Sequence, residues 1–382
     1  MKILILGGDG YLGWPTAMNL SNHGHEVMVV DNYLRRKLVQ ECGAKELFEV
    51  PDLNQRVDLW RDHSGHVLKI AIGDLLDWDF IEDVFKGFPP DAVIHYAEQP
   101  SGPYSMHGRR EAALTLTNNL GVTFNVIQAV HEFVPECHIV KLGTMGEYGT
   151  PNIDIEEGWI NIEHKGRSDR FLYPRQSGSL YHTTKIMDTD LLWYYTRLWN
   201  LRVTDLMQGP VYGLETAENQ DRPELYSFFN YDDLFGTVLN RFIVQAAAGY
   251  PLTVYGAGGQ TRGYLNIRDT LTCVQLSVEN PPENGELRIY NQFTETFSVN
   301  DLANRVRKTG DSLGLSVKID HLANARLERE EHYYNPVHQG LVELGLEPNL
   351  LTDQVLLDMF NVVLRYRDRI DSDTFLSGAS HQ

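Results

Sequence analysis

Tyr181 and Lys185 stand four residues apart in the stretch Leu180-Tyr181-His182-Thr183-Thr184-Lys185. On a helix this spacing puts a phenol and an ammonium on one face, one turn apart. A phenol has a reference pKa near ~10, and a cation held beside it favours the phenolate. Such a tyrosine is a general base for a hydroxyl proton. A bare Y-x-x-x-K pattern occurs on many helices by chance, so its meaning depends on the rest of the chain. Upstream, Thr144-Met145-Gly146-Glu147 adds a hydroxyl and a carboxylate at the end of a strand-like run.

The elements that must position these groups alternate regularly. Lys2 to Leu6 reads as a buried parallel strand, and Gly7-Gly8-Asp9-Gly10-Tyr11-Leu12-Gly13 follows it into a helix. Gly7 permits a tight turn, Gly10 lets backbone N–H groups approach a pyrophosphate, and Gly13 allows close helix–strand packing. A second strand, Glu26 to Val30, runs into Asp31 and Asn32. An acidic side chain there accepts the ribose hydroxyls of a dinucleotide and repels a 2′-phosphate, which favours NAD over NADP. Arg35 and Arg36 lie just beyond. A third strand, Val67 to Ile72, ends at Gly73-Asp74-Leu75, where a carboxylate meets an adenine amino group. Asp91 to Tyr96, His138 to Leu142 and Leu201 to Met207 are further strands, with helices over Arg109 to Phe133 and Tyr181 to Trp199. This alternation predicts an α/β fold, a Rossmann-type doubly wound parallel sheet with its ligand at the carboxyl ends of the strands.

Residues 1–207 therefore form a dinucleotide-binding domain, with a return strand near 287–293. Residues 208–370 form mainly a smaller α/β substrate-binding domain, and 371–382 a frayed tail. Leu252 to Tyr255 and Gly263 to Ile267 read as two short strands around a loop. The connection Pro151 to Gly178 reads as a surface excursion with a hairpin near Trp159-Ile160-Asn161-Ile162, or as a lid or interface feature.

Composition bounds the partners. A net charge of −19 argues against nucleic acid, which needs clustered Lys and Arg. The three cysteines, Cys42, Cys137 and Cys273, are scattered without metal-ligand spacing, so neither a metal nor a disulfide framework is expected. No run approaches the roughly 18 apolar residues of a membrane span, and the first strand begins at Lys2, so a cytoplasmic protein is expected.

Taken together, the glycine pattern, Asp31, Gly73-Asp74, Asp91 to His95, Asn118, Tyr181-x-x-x-Lys185 and Gly256 to Arg262 resemble the extended short-chain dehydrogenases/reductases acting on nucleotide sugars. Within them, Pro103 to Met106, Lys141 to Glu157, Gly256 to Arg268 and Glu331 to Asn335 resemble the UDP-sulfoquinovose synthases. One position departs: those enzymes carry Gln-Arg-Ser before the Pro-Tyr-Ser-Met element, and here Pro100 replaces the substrate-contacting arginine. Arg109 or Arg110 is the candidate replacement charge.

The resemblance implies that NAD oxidises C4 of a UDP-hexose, UDP-glucose being expected. Tyr181 takes the O4 proton, Lys185 holds the ribose and Thr144 hydrogen-bonds O4. Loss of the C6 hydroxyl gives a 4-keto-5,6-ene to which sulfite adds. Related dehydratases place an Asp-Glu pair where Met145 and Gly146 stand here, so Glu147 and His182 are the expected acid–base groups at C5 and C6. Arg241, Arg262, Arg268 and Arg326 are expected to grip the diphosphate, and Gln208 and Val211 to lie near nicotinamide and sugar. The family implies a homodimer packing helices 109–133 and 181–199. A UDP-hexose 4-epimerase or a 5,6-dehydratase working without sulfite is the alternative.

Overall fold

The computed structural model describes residues 1–323 and 332–376. β1 (Lys2–Leu6), β2 (Glu26–Asp31), β3 (Lys69–Ile72), β4 (Ala92–His95) and β5 (His138–Thr144) are short strands separated by helices. Ile3 to Leu6 are wholly buried, as a strand covered on both faces must be. An antiparallel hairpin, β6 (Trp159–His164) and β7 (Arg167–Leu172), interrupts the alternation before β8 (Arg202–Gln208) resumes it. Beyond lie β9 (Val211–Tyr212), β10 (Leu252–Tyr255), β11 (Thr261–Asn266), β12 (Leu287–Gln292), β13 (Glu295–Ser298) and β14 (Ile319–Leu322).

The main sheet runs β12-β8-β5-β4-β1-β2-β3 with every pair parallel. Strand order reverses between β1 and β4, so their carboxyl ends flank the crevice where doubly wound sheets bind ligands. One face of the sheet is covered by helices Trp78–Gly87, Arg109–Phe133 and Leu180–Trp199, through residues such as Phe85, Val126 and Leu192. The other is covered by Gly13–Asn22, Leu53–Ser64 and Ile267–Glu279, through Trp14, Trp60 and Val274. A separate core, built on helices Val238–Ala248, Val299–Ser312 and Asp353–Arg365, supports the smaller lobe.

The expected return strand is β12, beside β8. Other expectations shift. The two short strands expected around a loop are β10 and β11, the second starting two residues earlier than expected, at Thr261; β10 pairs with β14, and β11 with β9 and β13. The chain also crosses the 207/208 boundary more than once, because helix 267–279 packs on the main sheet while Leu47 and Phe48 join the smaller lobe. Residues 371–376 do not fray, since Phe375 is buried against Tyr231 and Tyr250. The connection 151–178 is exposed along its hairpin but tied to the body of the protein before it. Before the hairpin, Ile155 N donates to Asn335 O (3.2 Å) and Val337 N to Ile155 O (2.9 Å). Asp154 accepts from the Tyr333 hydroxyl (2.5 Å) and Asn335 Nδ2 (2.8 Å).

Candidate active site

A cavity of about 750 Å³ opens at the carboxyl ends of β1, β2, β4, β5 and β8, within the ~300–1,000 Å³ range of ligand sites. Its floor is the glycine turn. Gly7 has φ +83°, a left-handed conformation that L side chains rarely adopt, and a Cβ there would meet the Tyr96 carbonyl carbon at 2.7 Å. A Cβ on Gly13 would collide with the Gly7 carbonyl oxygen. The turn thus presents bare backbone to the cavity at the N-terminus of helix 13–22, which fits a pyrophosphate.

Asp31 ends β2 and lines the cavity, accepting from Asp9 N (2.9 Å) and Tyr33 N (2.7 Å). Burial, and then the neighbouring Asp9 carboxylate, push its pKa up to about 6. Arg35 lines the wall, and its buried Nε has no hydrogen-bond partner among the described residues. Arg36 is held elsewhere: Asp9 takes its Nε (2.6 Å) and one Nη (2.8 Å), and the Val50 and Pro51 carbonyls take more. It is therefore not available to a 2′-phosphate. Gly10, Tyr11, Leu12, Asn32, Asp74, Leu75 and Asn118 also line the cavity. These residues fit NAD, which would lie between the glycine turn, Asp31 and the Tyr181–Lys185 pair.

Ser179 caps helix 180–199 by accepting from His182 N (3.2 Å), and Tyr181 N donates to Ser105 Oγ (3.1 Å). The helix thereby turns Tyr181 and His182 into the cavity beside Thr144. Lys185 Nζ lies 5.8 Å from the Tyr181 ring centre, donates to the Leu142 carbonyl (2.6 Å) and pairs with Glu98 (2.7 Å). The expected acidification of the phenol is not what this arrangement gives. Burial first, and the Glu98 charge second, push the Tyr181 pKa above its ordinary value. Lysine cannot acidify its neighbour while a carboxylate at contact distance cancels its charge.

His182 stacks over Gly146, where an added Cβ would collide with the imidazole. The missing side chain at 146 therefore makes the space that the histidine fills. Glu147 does not join it. Its carboxylate is wholly buried behind the cavity wall, accepting from Thr144 N (3.3 Å) and pairing with Lys141 (3.4 Å) and Arg175 (3.6 Å). A group that must touch C5 or C6 cannot act from there, and the contact Glu147 makes toward the site is with the Thr144 backbone. Burial raises its pKa, with Lys141 offsetting part of the effect.

At the other end of the cavity, Gln208, Val211, Arg241 and Arg262 line the wall. Gln208 Nε2 donates to Gln292 Oε1 (3.1 Å), Arg241 stacks on Tyr255 (5.2 Å), and Arg262 contacts His332 Nε2 (3.0 Å). Arg268 is turned away, donating to the Glu215 carbonyl (3.0 Å) outside the cavity. Arg326 lies outside the described residues. Arg109 and Arg110 start helix 109–133 on the exterior, with Arg110 paired to Glu41 (3.2 Å), so neither reaches the position that Pro100 leaves without a cation. The sequence reading missed Glu98, Gln176, Phe235, Gln260 and Tyr334 in the lining. Glu98 carried a signal as a lone carboxylate just after a buried strand, and Gln260 and Tyr334 lie in stretches that carried the family resemblance.

Among the described residues no helix is long and apolar enough to cross a membrane, and no cluster of side chains could hold a metal. The family model described as "NAD dependent epimerase/dehydratase family" matches residues 3–291. The chain is 49% identical over 379 residues to the chloroplastic UDP-sulfoquinovose synthase of Spinacia oleracea, covering 99% of this chain and 79% of that protein. It is 44% identical over 372 residues to the UDP-sulfoquinovose synthase of Sulfolobus acidocaldarius, covering 97% and 94%. Among solved structures, the UDP-glucose 4-epimerase of Bifidobacterium longum in complex with NAD+ and UDP superposes with a TM-score of 0.73 at 18% identity, over 97% of this chain and 100% of that one. That likeness is one of fold. With the glycine turn, Asp31, Thr144 and Tyr181 at one cavity, the chain belongs to the NAD-dependent epimerase/dehydratase family.

Proposed function

We propose that this protein is a UDP-sulfoquinovose synthase, converting UDP-glucose and sulfite to the C6-sulfonated nucleotide sugar. The observation that carries the reading is the convergence of Thr144, Tyr181 and His182 on one cavity, with His182 in the space left by Gly146 and the Lys185 ammonium 5.8 Å from the Tyr181 ring centre. The extent of identity to two named synthases supports it.

NAD+ supplies the reversible oxidation of C4. Tyr181 accepts the O4 proton and later returns it, Thr144 hydrogen-bonds the same oxygen, and Lys185 orients the ribose. The 4-keto group acidifies the C5 proton. His182 takes that proton and passes one to the departing C6 hydroxyl, which leaves as water. Sulfite, entering as bisulfite, forms the C6–S bond while its proton goes to C5, and C4 then takes back its hydride, so the balance is one bisulfite in and one water out. Arg241 and Arg262 hold the diphosphate against the overall negative field.

Mass spectrometry of the purified protein tests this. Bound NAD(H) is expected, as is a sulfonated nucleotide sugar from UDP-glucose with sulfite and none without it. A chain free of nucleotide that leaves UDP-glucose unchanged in both arms sinks the proposal. Epimerised UDP-glucose in both arms, an isomer of the same mass that is read by proton NMR, supports the sulfite-free alternative, which the loss of the arginine at Pro100 favours.

The functional unit is proposed to be a homodimer. Helices 109–133 and 180–199 pack together and leave Leu116, Phe124, Met187, Tyr194 and Leu198 exposed, the last two at 52% and 54%. A contiguous apolar face of this kind is costly unless covered, and a second copy covers it as a four-helix bundle. Light scattering should give twice the chain mass, and Leu198→Glu should lower it. A monomeric wild type would exclude the pairing.

A further inference from the structure

We propose that Glu98 is a positioning residue that sets the proton affinity of Tyr181 by holding and neutralising Lys185. This rests on the reading of Tyr181 as the proton acceptor. The Glu98 side chain is 2% exposed, yet it lines the cavity, and one oxygen lies 2.7 Å from Lys185 Nζ. Its loop has little freedom to withdraw it. Next door, Gln99 N donates to Asn119 Oδ1 (2.9 Å), and Gln99 Nε2 donates to Ser101 O (3.0 Å) and Thr115 Oγ1 (2.8 Å). Ser101 Oγ donates to Leu234 O (2.5 Å), tying the same loop to the smaller lobe. An ammonium has three donors. Lys185 gives one to Leu142 O (2.6 Å), and Glu98 Oε1 lies against the ammonium as an ion pair, with both Glu98 oxygens left without a hydrogen bond among the described residues.

The charges around the phenol make Glu98 the deciding group. On β4, His95 lies 3.7 Å from Glu98, and burial depresses its pKa to about 4, so it adds no positive charge at neutral pH. On β5, Lys141 is shared between Glu147 and Asp205 of β8, each at 3.4 Å. On the tyrosine's own helix lie Lys185, His182 and Asp188, and burial followed by Glu98 raises the Asp188 pKa, which favours its neutral form. Burial opposes the Glu98 charge, but Lys185 leads the groups that hold it below the usual carboxylate range. Glu98 is thus the ionised carboxylate in direct contact with the lysine that the phenol faces.

Removing that charge frees the lysine to act on the phenol and lowers the tyrosine pKa. Phenolate absorbance of the purified protein, titrated against a Tyr181→Phe control in each background, reads this without any sugar substrate. In Glu98→Gln, Tyr181 should ionise about one pH unit or more below wild type, the scale of one close charge. The acid limb of the kcat profile should move the same way, and Glu98→Asp, which keeps the charge, should restore the wild-type position. An unchanged Tyr181 titration in a folded Glu98→Gln protein overturns the proposal, whatever the substrate proves to be. Should Glu98→Gln not fold, a crystal structure of the wild-type holoenzyme decides: Glu98 and Lys185 farther apart than the ~4 Å of an ion pair would overturn it. Tyr181→Phe retaining full turnover would instead mark the failure of the tyrosine reading itself.

Discussion

Tyr181→Phe should lower kcat by ~10²-fold or more, the usual scale for a lost general base, equivalent to about 2.7 kcal/mol of barrier. The change removes one oxygen and leaves the ring. That ring sits 5.2 Å from His182 and within 5.8 Å of the Lys185 ammonium, contacts that phenylalanine keeps. The Lys185–Glu98 pair and the Leu142 carbonyl contact do not involve the phenol oxygen, so the lysine stays where it is. Bound NAD(H) and the unfolding midpoint should therefore match wild type while turnover collapses. KM should change little, because the lost contact matters most as the O4 proton moves. Turnover within a few-fold of wild type would remove Tyr181 from the chemistry and pass the proton to His182, the other titratable side chain beside Thr144 in the lining.

How much of this was legible in the sequence follows from how local each determinant is. The glycine turn, Asp31 and the Tyr181–Lys185 spacing were readable because each is a backbone requirement or a same-face relation within a few residues. The sheet was readable because buried parallel strands must be continuous apolar runs. The direction in which a loop side chain points was not. Arg268 and Arg262 are six residues apart in one glycine-rich stretch, yet Arg262 enters the cavity while Arg268 turns to the Glu215 carbonyl. Glu147 looked like an acid–base candidate because it is titratable and near Thr144 in sequence. The tight turn that follows β5 points it backwards into the core instead. Glu98 was hidden for the converse reason: no spacing rule relates a residue after β4 to one on a helix that begins 82 residues later, at Leu180.

Lys141→Met should be the most destabilising of the changes considered, by ~3–5 kcal/mol, the cost of breaking a buried ion pair from one side. Lys141 is 0% exposed, and its ammonium donates to Thr189 Oγ1 (2.9 Å) and the Lys185 carbonyl (3.1 Å) while lying 3.4 Å from both Glu147 and Asp205. Methionine keeps the bulk of the stem and deletes the charge, leaving two carboxylates in the core with Arg175, 3.6 Å from Glu147, and the more distant Lys185 to offset them. Burial already raises the Glu147 pKa with the lysine present, and losing the lysine raises it further. A carboxylate whose folded pKa lies above its unfolded value stabilises fully below the unfolded pKa, and that contribution is lost as pH rises through the folded pKa. The Lys141→Met deficit should therefore be smaller at about pH 5 than at about pH 8, read by chemical denaturation at each. Adding Glu147→Gln and Asp205→Asn should recover stability, since neutral partners need no cation. Activity need not recover with it, because Glu147 Oε1 accepts from Thr144 N and a glutamine there binds that N–H less strongly. A deficit below about 1 kcal/mol that is equal at both pH values would mean that the cluster carries no buried charge, and Glu147 would then brace Thr144 as a neutral acid.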